Sequence, residues 1–212
     1  MIQKKRILCY GDSNTWGFSP YDGHRQARRW TRLLNLDQTE IIEEGLNSRT
    51  AIGYDIFQPH KCGYPDFIRA LQTHSPLDLV IVMLGTNDLK TCYHYPAVQI
   101  ANGLRAFVRE FLNPTLWESS SMPQLMIVAP ILLGEQIPVL GGVAAGFNEY
   151  SFEQSKLLSS EIQNAIAPYP VHFFDASTIA FASEADGLHM DEENHQKLAF
   201  ALRKAILDIL PE

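Results

Sequence analysis

The sequence predicts an α/β fold in which helices cover both faces of a parallel sheet, and three observations carry that expectation. Short apolar segments alternate with segments of helical periodicity, as parallel strands joined by crossovers must. The most apolar of them, Leu77 to Leu84, is nearly unbroken, the pattern of a strand buried on both faces. Three of them stop at Gly11, Gly45 and Gly85 beside polar residues, and the carboxyl ends of such strands are where open α/β sheets bind ligands.

Taken in order, Arg6 to Tyr10 is the first strand, and Gly11-Asp12-Ser13-Asn14 reads as the turn after it. Arg28 to Leu36, apolar at Trp30, Leu33, Leu34 and Leu36, predicts a short helix. Thr39 to Glu43 predicts the second strand. Asn47 to Tyr64 has Gly53, Pro59 and Gly63 but no steady period; it is long for a connector and is expected to border a functional site. Pro65 to His74 predicts a helix that Pro76 stops, and Leu77 to Leu84 follows as the central strand. Between Pro96 and Leu112 apolar residues recur every three or four positions, the clearest amphipathic helix in the chain.

Gln124 to Ala129 predicts a fourth strand, Asn148 to Ala167 a helix closed by Pro168, and Val171 to Phe174 a fifth strand ending at Asp175. Asp191-Glu192-Glu193 opens a last helix, its acidic first turn matched to the helix dipole. Pro130 to Phe147 is apolar but broken by Gly134, Pro138, Gly141, Gly142 and Gly146. It is therefore a loop that walls a pocket, meets another subunit or packs on its own domain. The sum is a three-layer α/β/α sandwich with a five-stranded parallel sheet in the flavodoxin-like order 2-1-3-4-5, one domain spanning residues 1–212.

Composition narrows the partners. A net charge of -7 and a pI near 5.5 disfavour nucleic acid and anionic membrane surfaces, leaving a small neutral molecule as the expected ligand. The basic start of the chain, Lys4-Lys5-Arg6, precedes an apolar run too short for a signal segment, so a cytoplasmic location is expected. Cys9, Cys62 and Cys92 show no Cys-x-x-Cys spacing and read as reduced thiols, with no metal or cofactor implied.

Ser13 sits where a nucleophile would sit, yet a serine hydroxyl needs a base to take its proton and a third group to orient that base. Asp186 and His189 in the loop Ser183 to Met190 suit those roles at a spacing of three residues. Attack also creates an oxyanion, for which the backbone N–H groups of Ser13 and Gly45 and the side-chain amide of Asn87 are the candidate donors. A general base must be unprotonated, so activity is expected to rise with pH as His189 becomes neutral. Trp16 and Phe18 after the nucleophile, Tyr93, His94 and Tyr95 after Asn87, and Ile131 and Leu132 after the fourth strand are the candidate pocket residues.

These blocks resemble those of the SGNH hydrolases, the GDSL-type lipase and esterase superfamily. Gly11-Asp12-Ser13 is similar to the nucleophile block and Gly45 with Asn47 to the glycine block. Gly85-Thr86-Asn87-Asp88 is similar to the asparagine block and Asp186-Gly187-Leu188-His189 to the acid and base block. Glu43-Glu44-Gly45-Leu46-Asn47-Ser48-Arg49-Thr50 most resembles the bacterial arylesterase and acyltransferase branch. That resemblance implies hydrolysis of short acyl esters, acyl transfer to alcohols or peroxide in some members, and frequent homo-oligomers; a carbohydrate O-acetyl esterase is the alternative on the same residues. Two rivals lie in other classes. Asp12, Asn87, Asp88, Asp186 and His189 could ligate a metal in a phosphoesterase, and the fold could serve a non-catalytic carbohydrate- or ester-binding module.

Overall fold

Strand β1 (Lys5–Gly11) is the strand around which the sheet is laid out. It pairs in parallel with β2 (Thr39–Gly45) on one side and β3 (Leu79–Met83) on the other, followed by β4 (Gln124–Ala129) and β5 (His172–Asp175). The order is 2-1-3-4-5, as the sequence predicts. The structure, a computed structural model, describes residues 4–141, 144 and 146–211; Gly142 of the apolar loop lies outside them.

Side-chain alternation along the strands splits the core into two apolar layers. Leu8, Tyr10, Val80, Val82, Leu125 and Ile127 face α3 (Gly63–His74), α4 (Ala97–Phe111) and α5 (Glu149–Ile166). Ile7, Cys9, Leu79, Ile81, Met83, Met126 and Val128 face α2 (Trp30–Leu33) and α6 (Glu192–Ile209). Both faces being covered explains why Leu79–Met83 is apolar at every position. Helix ends follow local chemistry: Asn148 and Ser151 form a capping box on α5, and Asp191 caps α6 through Asn194 N–H at 2.9 Å.

One expectation needs correction, and the apolar loop takes one of the courses left open for it. The helix expected over Arg28 to Leu36 is a single turn, Trp30–Leu33, because Asn35 and Gln38 adopt φ of 45° and 46° and no side chain caps its start. The apolar loop from Pro130 packs on its own domain: Gly134 N–H donates to Gly187 O at 2.8 Å, and a Cβ on Gly134 would lie 2.9 Å from Gly187 Cα. Among the described residues no helix is long and apolar enough to cross a membrane.

Candidate active site

The carboxyl end of β1 delivers Ser13 into the short helix α1 (Ser13–Trp16). Asp12 caps it by accepting Asn14 N–H at 2.9 Å, and Gly17, at φ 89°, ends it with its N–H on Ser13 O. Burial pushes the Asp12 carboxyl up to about 6, against the opposing pull of that Asn14 N–H. Gly11 has no alternative here, since a Cβ would lie 2.1 Å from Thr15 Oγ1.

The loop before α6 brings the other two groups. His189 Nε2 lies 2.9 Å from Ser13 Oγ, and His189 Nδ1 lies 2.6 Å from Asp186 Oδ2. Asp186 Oδ1 accepts the backbone N–H groups of Leu188 and His189, each at 2.9 Å, so the carboxylate is fixed by its own loop before it touches the imidazole. Gly187, at φ 66°, permits that tight turn. All three catalytic candidates are buried, at 6, 6 and 3 % exposure for Ser13, Asp186 and His189, so this hydrogen-bonded relay is shielded from competing water.

Two residues that the sequence did not single out hold the relay in register. Asn14 donates from Nδ2 to Leu188 O at 3.2 Å and accepts Met190 N–H at 3.0 Å, clamping the chain on both sides of His189. Gln26 donates to Met190 O at 2.8 Å from the other side. Only the asparagine's place inside the nucleophile turn could have hinted at this, because its partners lie more than 170 residues away.

Asn87 lies at the end of β3 in a 3-10 turn, Asn87–Leu89, and its Nδ2 donates to Arg49 O at 3.1 Å. That bond uses one amide hydrogen and leaves the other free. Arg49 is itself buried: it donates to Gly11 O at 3.0 Å and to Glu44 O, pairs with Asp66 at 3.2 Å and stacks over Tyr10. Asp88 accepts the backbone N–H groups of Ala51, Ile52 and Gly53 at 2.6, 2.9 and 2.8 Å, pinning the 47–64 segment beside the site as expected. Gly45 lies under α1, where a Cβ would come 2.3 Å from Trp16 N; close packing, rather than room for a substrate oxygen, demands glycine there. Leu46 N–H turns to Gly11 O at 3.0 Å, and in extended chain the preceding Gly45 N–H points the opposite way, off β1.

The pocket candidates fall into different places. The Phe18 ring packs on the His189 ring with centroids 4.4 Å apart, and Trp16 lies next to it at 6.3 Å. Tyr93 stacks on Tyr95 at 5.7 Å and borders Gly53, while His94 stacks on Tyr150. Ile131 is taken up by the apolar layer that also holds Met83 and Met190, so packing accounts for its residue type. Among the described residues no three His, Cys, Asp or Glu side chains converge as a metal site; Asp12, Asp88 and Asp186 each hold backbone N–H groups instead. Cys9 and Cys62 are buried free thiols and Cys92 is an exposed one.

A buried serine, histidine and aspartate in hydrogen-bonded sequence can activate a hydroxyl for attack on an acyl carbon. Residues 9–197 match the profile of the GDSL-like lipase/acylhydrolase family. The chain belongs to that family. This acylhydrolase is similar in structure to the native aryl esterase of M. smegmatis, with 33% identity, TM-score 0.89 and coverage of 97% of this chain and 99% of that one. It is equally similar to Est24, a carbohydrate acetylesterase from Sinorhizobium meliloti, with 32% identity, TM-score 0.89 and coverage of 97% and 100%. No curated protein matches it. The GDSL acylhydrolase is a serine ester hydrolase by this membership, and its sheet is the one those esterases share.

Proposed function

We propose that the acylhydrolase cleaves short acyl esters of small molecules through an acyl-enzyme on Ser13. The observation that carries this is the relay of 2.9 and 2.6 Å contacts from Ser13 Oγ through His189 to Asp186. His189 Nε2 takes the hydroxyl proton as Oγ bonds to the acyl carbon, then gives it to the departing alcohol as the C–O bond breaks. Water repeats the cycle, and the acid leaves. An alcohol or peroxide in place of that water turns hydrolysis into acyl transfer.

For the oxyanion we assign Ser13 N–H, the free hydrogen of the Asn87 amide and a donor from the turn after β2. Gly45 N–H is the donor expected from sequence. Ser48 suits the role better: its φ of 65° turns the chain at the residue before Arg49, to whose carbonyl Asn87 is tied, and its N–H has no acceptor among the described residues. Losing one such donor costs roughly 3 to 4 kcal/mol of transition-state stabilisation.

Hydrolysis of p-nitrophenyl acetate by the wild type and by Ser13→Ala, each with and without a chelator, tests the reading. Chelator-insensitive activity that disappears in the variant supports a serine esterase; activity that survives the variant or dies with chelator overturns it. The likeness to a carbohydrate acetylesterase favours a second reading, removal of O-acetyl groups from a sugar, which acetate release from peracetylated sugars tests.

A further inference from the structure

The catalytic end of the sheet carries two lysines with no carboxylate partner among the described residues, whereas Lys156 and Lys197 on the surface each hold a glutamate, at 2.6 and 2.7 Å. Lys61 Nζ donates to Asn47 O at 2.7 Å, which fixes its ammonium on the turn whose Arg49 carbonyl binds the Asn87 amide. Lys90 closes the turn that Asn87 begins, its N–H on Asn87 O at 3.3 Å. Its stem runs along the apolar loop, where a Cβ on Gly146 would lie 3.6, 3.8 and 4.0 Å from Lys90 Cγ, Cδ and Cε. Both lysines therefore flank the asparagine loop, one from the 47–64 segment and one from the end of β3.

Among the described residues no carboxylate pairs directly with either lysine, although Asp12 and Asp88 act on Lys90 through space. Both oxygens of Asp88 hold backbone N–H groups, Asp12 caps α1, and Arg49, the other cation of this region, is already paired with Asp66. Both ammonium groups are held below the ordinary lysine range by burial above all; Arg49 adds to this for Lys61, while for Lys90 the pull of Cys92, Asp12 and Asp88 opposes it and Lys61 adds a smaller push. A charge that has lost part of its water and gained no hydrogen-bonded anion is one that an incoming anion stabilises. In a chain of net charge -7, two such cations beside the reacting groups run against the overall field and would draw an anion to this one place.

We propose that Lys61 and Lys90 form an anion-recognising rim, and that the preferred esters carry a negatively charged group, carboxylate or phosphate, away from the scissile carbonyl. This rests on the esterase reading above and replaces the neutral small molecule expected from net charge alone. The local field, not the total, governs the choice.

The test is kcat/KM for p-acetoxybenzoate and p-acetoxyphenyl phosphate, each divided by that for neutral methyl p-acetoxybenzoate. It is run on the wild type, Lys61→Gln, Lys90→Gln, the double variant and Lys61→Arg. In the wild type at least one anionic ester is favoured by about tenfold, through KM, which is what about 1.4 kcal/mol of charge pairing gives. The preference shrinks in each glutamine variant and with added salt, collapses in the double variant and returns in Lys61→Arg. Which ester is favoured identifies the anion. A wild-type ratio at or below one for both, or an unchanged ratio in the double variant, overturns the rim. Failure of the esterase reading looks different, as absence of Ser13-dependent turnover of the neutral ester. In that case calorimetric binding of p-acetoxybenzoate to Ser13→Ala, with and without the two glutamine substitutions, still decides the rim.

Discussion

Asn14 holds the chain on both sides of the base, so its side chain sets where His189 Nε2 points. Asn14→Leu leaves Met190 N–H buried without an acceptor, which costs about 1–3 kcal/mol of stability. It should lower kcat with little change in KM, because the substrate contacts are elsewhere; a rise in KM at constant kcat would contradict the clamp. Asp186→Asn acts on the same ring by a different route, since an amide that donates to Nδ1 would put the proton on the wrong nitrogen. A fall in kcat of roughly four orders of magnitude with an unchanged circular dichroism spectrum is expected. Ser13, Asp186, His189 and Asn87 were legible because their chemistry is strict and each stands at a strand or loop end. Asn14, Arg49 and Asp88 were not, because their work is to bond backbone atoms contributed by distant parts of the chain, and a backbone atom has no sequence signature.

Among the elements, α1 and β2 meet so closely that Gly45→Ala must displace Trp16 and with it the nucleophile turn. Activity should fall further than stability, measured as residual kcat against the urea midpoint. The contact between α6 and α2 carries a pH signature. His195 of α6 is fully buried, its Nδ1 accepts Trp30 N–H at 3.3 Å, and burial lowers its pKa from 6.5 to about 4. As pH falls from 6.5 toward 4, the unfolded chain binds a proton that the folded chain refuses, so the stabilisation present above 6.5 is progressively lost. The loss between pH 7 and 5 is about 2 kcal/mol. Asp12, raised from 3.8 to about 6, works in the opposite sense over much of that range and partly masks it in the wild type. Comparing urea unfolding of wild type and His195→Gln isolates the histidine, because the Asp12 contribution is common to both. Equal pH slopes would contradict a neutral buried His195. Strand limits were readable from apolar runs, and the amphipathic Ala97–Phe111 from its period. The helix expected after Arg28 overran because positive φ at Asn35 and Gln38 is a tertiary outcome that neither residue type announces.

For the molecule as a whole, the strand order could be anticipated because alternating strands and helices admit few parallel topologies, and the switch point between β1 and β3 places Ser13 beside Asn87. What the sequence concealed was the direction taken by the apolar loop, whose glycines permit many paths; contact with Gly187 selects the one that backs the acid and base loop. With that loop against the site, acyl-chain length should be limited, and rates on p-nitrophenyl esters should drop sharply from acetate and butyrate to decanoate. Efficient turnover of the long ester would require an open pocket instead. The whole arrangement stands on Ser13 as the nucleophile. Intact-mass and peptide-mapping analysis after treatment with diethyl p-nitrophenyl phosphate reads that directly. One diethylphosphoryl adduct on Ser13, formed in proportion to lost activity and absent in Ser13→Ala, is the expected result; inactivation with Ser13 unmodified, or an adduct on another residue, would contradict it.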